Sequence, residues 1–120
     1  MPAYAKLILS GSTNGRGINL TATTFAGRQT IHTATSTAGA LDEVWIYVTN
    51  NSAATATNLT LIWATQSTDT TADQLKMSVP ASTGLYLLVP GLVLGSGLTI
   101  TAYAGVTANL TIHGWVNRIT

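Results

Sequence analysis

The chain contains no cysteine. Disulfides and thiolate metal centres are therefore excluded, so stability has to come from buried apolar surface and hydrogen bonds. Charge is nearly as scarce. Asp, Glu, Lys and Arg make up 8% of the 120 residues, against about 25% in an ordinary soluble domain. The five basic residues, Lys6, Arg16, Arg28, Lys76 and Arg118, are scattered along a chain of formal net charge +1. Binding that neutralises several phosphates needs a basic cluster, so no nucleic-acid partner is expected. Long apolar runs are missing as well. The longest, Leu85 to Leu94, is interrupted by Pro90-Gly91 and falls short of the about 18 residues that cross a bilayer as a helix; no membrane partner is expected. The opening Met1-Pro2-Ala3-Tyr4-Ala5-Lys6 has no charged segment followed by a long apolar one, so no signal peptide is expected either.

What is present is apolar and hydroxyl-rich. Hydrophobic residues account for 46% of the chain, and Thr, Ala, Ser and Asn fill the place that charge leaves. A chain of this length forms one domain with a real core. We expect a single β-sandwich domain over residues 1–120, with 1–10 as an N-terminal arm or edge strand. A neutral surface carries little repulsion between copies, which leans toward life in an assembly.

The strongest strand signals flank a polar break. Val44-Trp45-Ile46-Tyr47-Val48 and Leu59-Thr60-Leu61-Ile62-Trp63 are dense in β-branched and aromatic residues, and Asn50 to Thr55 separates them as a turn. Val44, Ile46 and Val48 share one face, with Trp45, Tyr47 and Thr49 on the other. A strand apolar on both faces belongs centrally in a sheet or against a neighbouring subunit. Further strand patterns occupy Ala3 to Leu9, Ile18 to Thr23, Gln29 to Ala34, Asp73 to Val79, Gly84 to Val89, Leu92 to Leu94, Leu98 to Ala104 and Asn109 to Ile119. Pro80 and Pro90-Gly91 read as strand ends. Regular spacing of about nine such segments, with no amphipathic helix between them, predicts an antiparallel β-sandwich. Pairing of the first and last strands gives a jelly roll; the alternative is an immunoglobulin-like sandwich. The core is expected on Val44 to Val48, Leu59 to Trp63, Leu85 to Val89 and Leu110 to Val116.

Chemistry-bearing residues are few. Ser10 to Gly17 holds three glycines, yet the phosphate-binding loop needs another spacing followed by Lys-Ser/Thr at a helix start. His32 and His113 lack companion ligands at metal spacing. Gly95-Ser96-Gly97 is a turn rather than a nucleophile elbow. Asp42 with Asp69 or Asp73 would be a carboxylate pair, but such aspartates are more simply turn and capping residues. Sequons at Asn19, Asn50, Asn58 and Asn109 are accidents of an Asn- and Thr-rich composition. Trp45, Trp63 and Trp115 raise the thought of a sugar platform, but they sit inside strand patterns that suit a core or a subunit interface. No catalytic residue, cofactor or metal is expected, and the chain does not read as an enzyme.

Three stretches carry a resemblance: Asp42-Glu43-Val44-Trp45-Ile46-Tyr47, Gly84-Leu85-Tyr86-Leu87-Leu88-Val89-Pro90-Gly91, and Ile112-His113-Gly114-Trp115-Val116-Asn117-Arg118-Ile119. With the opening Lys6 to Arg16, they make the chain resemble small virion proteins of tailed bacteriophages. The resemblance implies a head decoration (cement) protein, a β-sandwich that is often trimeric. Such a protein is made in the host cytoplasm, sits on the capsid exterior and binds the major capsid protein. Loops bearing Arg16, Phe25 and Arg28 are the interface candidates. A receptor- or glycan-binding head of a tail fibre or tailspike, or another virion structural subunit, is the alternative.

Overall fold

The computed structural model describes residues 3–64 and 72–120. It holds nine strands: β1 (Tyr4–Ile8), β2 (Ile18–Asn19), β3 (Gln29–Thr33), β4 (Leu41–Asn50), β5 (Thr57–Ile62), β6 (Gln74–Val79), β7 (Tyr86–Leu94), β8 (Thr99–Ala104) and β9 (Leu110–Ile119). A front sheet runs β1-β9-β4-β7, with β2 also on β9, and a back sheet runs β3-β8-β5-β6. Every pairing is antiparallel. The protein is an all-β sandwich, and no helix occurs among the described residues. Its first and last strands pair, Tyr4 opposite Ile119.

The ladder between β4 and β9 is the longest, running without a register shift from Leu41 opposite Ile119 to Asn50 opposite Leu110. Alternation sends Val44, Ile46 and Val48 inward from β4, and Leu110, Ile112 and Val116 inward from β9. They meet Leu59 and Leu61 of β5 and Ile100 and Ala102 of β8 in one buried cluster. Each fully buried branched side chain contributes about 1.5–3 kcal/mol relative to exposure. Gly114 lies opposite Ile46. A Cβ there would stand 2.2 Å from the Trp45 carbonyl oxygen, so the two central strands approach as they do only because position 114 has no side chain.

Three expectations need correction. First, the two runs read as strand, turn, strand do not pair with each other; β4 and β5 belong to opposite sheets. Asn50 directs the crossing, because its buried amide donates to the carbonyls of Thr55 and Val79 while its oxygen accepts from the Ser52 N–H. Second, Pro90-Gly91 does not end a strand. β7 runs through both residues, since it is an edge strand and its ladder to β4 shifts register on either side of the Trp45–Pro90 pair. Gly91, at φ 82°, takes up the extra residue. That placement leaves Leu85 and Leu87 exposed rather than in the core. Third, only Ile18–Asn19 of the alternating 18–23 run pairs as a strand; Ala22 instead accepts a hydrogen bond from the Ala104 N–H across the β2–β3 loop.

Replacing Gly114 with Ala is expected to cost about 2 kcal/mol or more, because the new methyl meets backbone that cannot yield cheaply. Gly105→Ala, where the nearest atoms lie 3.6 Å away, is expected to stay within about 0.5 kcal/mol. Urea unfolding of both variants measures the difference.

Candidate functional site

One end of the sandwich is held by a buried carboxylate. Asp42 shares the inward parity of Val44, Ile46 and Val48, and its side chain is 0% exposed. A carboxylate taken out of water must be paired and hydrogen-bonded, and this one is. Arg118, its cross-strand neighbour on β9, donates from Nε to Oδ1 at 2.7 Å and from Nη2 to Oδ2 at 2.9 Å. His32 Nε2 of the back sheet donates to Oδ2 at 2.7 Å, and the Thr35 N–H adds a fourth bond at 3.2 Å. Burial pushes the carboxyl up, but hydrogen bonds from Arg118 and then His32, with the Arg118 charge, outweigh it and hold it below its ordinary 3.8. The same hydrogen bond to Asp42 raises Arg118.

Ser10, His32 and Asp42 thus lie in sequence, but not as a hydroxyl-activating trio. His32 Nδ1 accepts the Ser10 backbone N–H at 3.0 Å, so its ring proton sits on Nε2 toward Asp42. The Ser10 hydroxyl accepts from the Thr33 N–H instead. No ring nitrogen is left to take a hydroxyl proton, and the group is a clamp between the sheets and the β1–β2 loop. Asp42 is accordingly a strand residue, not the turn residue expected. Of its imagined acid partners, Asp69 lies outside the described residues, and Asp73 occupies an exposed turn at φ 59°.

The remaining candidates are separated. His113 points outward from β9, its ring beside Gly17, while His32 is buried between the sheets. Phe25 and Arg28 come together: the guanidinium carbon stacks 3.9 Å above the ring centroid, and Nη1 donates to the Phe25 carbonyl at 2.9 Å. Arg16 sits in a different turn, where its N–H bonds the Thr13 carbonyl and its own carbonyl accepts from Ser12. Trp63 packs against the core. A depression of ≈ 340 Å³ over Asn58, Thr60, Lys76, Met77 and Ser78 marks the hydroxyl-rich outside of the back sheet.

The outside of the front sheet is of another character. Strand alternation puts Leu41, Glu43, Trp45 and Tyr47 of β4 there, with His113, Trp115, Asn117 and Ile119 of β9 beside them. Trp45 and Trp115 stack with centroids 5.6 Å apart and planes 8° from parallel. Lys6 Nζ lies 4.4 Å from the Trp115 centroid, approaching from β1, and the Trp45 ring abuts Gly91 of β7 on the other side. Trp45 Nε1 donates to Glu43 at 2.9 Å. The stacked pair thus has an ammonium beside Trp115 and the β7 backbone beside Trp45. Around it Tyr4, Ile8, Val93 and Leu87 are exposed. The sequence placed these tryptophans in strands suited to a core or a subunit interface, without showing that Trp45 and Trp115 face each other. Comparison of the chain with family models, with curated proteins and with solved structures finds no match.

Replacing Asp42 with Asn should lower stability at neutral pH by about 3 kcal/mol, since it leaves Arg118 and His32 without their anion. The native carboxyl is depressed, so its contribution is full above the ordinary value of 3.8 and is lost as pH falls through the lowered one. Stability of the native chain should therefore fall across that acid window more steeply than that of Asp42→Asn. Denaturant titrations at stepped pH test this.

Proposed function

We propose that this chain is a head decoration (cement) protein of a tailed bacteriophage, a homo-oligomer seated on the outer surface of the major capsid protein lattice. The observation that carries the reading is the concentration of large exposed apolar side chains on the front sheet and its β7 edge, including Tyr4 at 65%, Ile8 at 50% and Val93 at 51%. Scattered apolar residues are normal on any surface; a contiguous group on one sheet marks a protein contact. Scarce charge supports the reading, because neutral copies pack at high density without repulsion. Many repeated weak contacts on a lattice then add by avidity.

Strand order supports the architecture that goes with this role. The pairs β1–β9, β3–β8, β4–β7 and β5–β6 are nested in the chain. A long two-stranded ribbon rolled into two sheets produces such nesting, and we read it as a jelly roll. Phe25 and Arg28, locked together in one loop, and Arg16 in another remain the proposed loop contacts with the lattice.

Purified protein mixed with capsids of its own phage should co-sediment saturably, at a fixed ratio to capsid subunits. Absence of binding to both compact and expanded capsids would sink the proposal. Unchanged occupancy after Arg16→Ala with Arg28→Ala would remove those two loops from the contact.

A further inference from the structure

The front-sheet face has an internal symmetry that the chain does not use within one copy. Register sets three rows across β1, β9 and β4. Tyr4, Ile119 and Leu41 form the first; Lys6, Asn117 and Glu43 the second; Ile8, Trp115 and Trp45 the third. Directly paired residues share a face, so all three rows look outward with the tryptophan stack. The outer rows are apolar from end to end. The middle row is polar at its centre and carries one cation and one anion at its ends, one strand to either side of β9. Lys6 and Glu43 are the only charged residues in these rows, and neither forms a salt bridge among the described residues.

We infer that this face docks a second copy of the chain, with a two-fold axis lying in the interface along β9. Rotation about that axis keeps each row at its own height and exchanges its ends. β1 then lies over the second copy's β4, and Lys6 meets Glu43 twice, once in each direction. The first row packs Tyr4 against Leu41, and the third packs Ile8 against Trp45. Residue i touches j and j touches i, as an isologous contact requires. An axis across the strands through the middle row would also lay apolar rows on apolar ones, but it would set Lys6 over Lys6 and Glu43 over Glu43. Complementary charge thus selects one arrangement. The paired sheets would pack face to face about 10 Å apart.

The exposed members of these rows are few, Tyr4, Ile8 and Leu41 with Lys6, so the contact is small among specific interfaces. A reversible dimer is expected rather than a permanent one. Pro90 and the Gly91 bulge guard the β7 edge against strand addition. β7 itself overhangs the contact and stays open to a lattice. This two-fold closure differs from the three-fold one that the virion-protein resemblance implies, and it holds whether or not a capsid is the larger partner.

Sedimentation equilibrium of the full chain over a wide concentration range reads the result. The native protein should fit a monomer–dimer equilibrium. Lys6→Glu alone and Glu43→Lys alone should each weaken it at least tenfold, because each sets like charges opposite one another twice. Mixing those two variants should restore a dimer containing one of each, and the double variant should dimerise like the native chain. Both positions are on the surface, and thermal melts of each variant monitor folding. Self-association indifferent to either substitution would overturn the inference, as would a trimer. So would a chain that stays monomeric while Lys6→Glu and Glu43→Lys lose capsid binding, an outcome that assigns the face to the lattice subunit instead.

Discussion

The buried carboxylate of Asp42 is the constraint on which the arrangement of this sandwich turns. It is the one fully buried anion among the described residues, and its four bonds reach β9, β3 and the start of the β3–β4 connection. Through His32 the same group reaches the Ser10 backbone and fixes where the chain leaves β1. A charge without water enforces geometry: any slip of β4 against β9, or of one sheet over the other, strands an ion in apolar surroundings. Apolar packing alone tolerates such slips better, since Val, Ile and Leu exchange neighbours with little penalty. Asp42 thereby fixes a relation between sheets that the hydrophobic core supports but does not specify.

That relation has consequences on the outer surface. Register between β4 and β9 places Trp45 opposite Trp115, and register between β1 and β9 brings Lys6 alongside. Gly114 allows the central strands to close, and Gly91 gives the Trp45 ring its resting place. The two outer faces consequently differ in kind. One carries Thr30, Thr33, Thr99 and Thr101 with Asn58 and Ser78, suited to water; the other is aromatic and aliphatic with a single cation and a single anion. With so little charge in the chain, the two faces differ mainly in how much apolar surface each presents.

Much of the fold was legible in the residues. Period-two alternation located β4, β6, β8 and β9, and it separated Val44, Ile46 and Val48 from Trp45 and Tyr47, because side chains on a strand must alternate. Edge behaviour was harder to read. Proline is a breaker only where its missing N–H is needed, so Pro90 passes through an edge strand that it would have ended in a central one. Asp42 was legible in parity, two residues before Val44, yet the prior that buried carboxylates are rare argued for a turn. The stacking of Trp45 on Trp115 was not legible, since the two are seventy positions apart and nothing local declares their pairing.

The sequence by itself determined an all-β chain that buries alternate residues, has no disulfide and carries little charge. These follow from composition and short-range periodicity, which act within a few residues. Tertiary structure alone decided which strands neighbour one another and that β4 and β5 part into opposite sheets. It also set His32 and Arg118 on one carboxylate and gathered Lys6, Trp115, Trp45 and Glu43 on one face. Strand pairing joins residues far apart in the chain, and its outcome is selected by the register that leaves every buried polar group satisfied, a condition that belongs to the whole molecule and to no single segment.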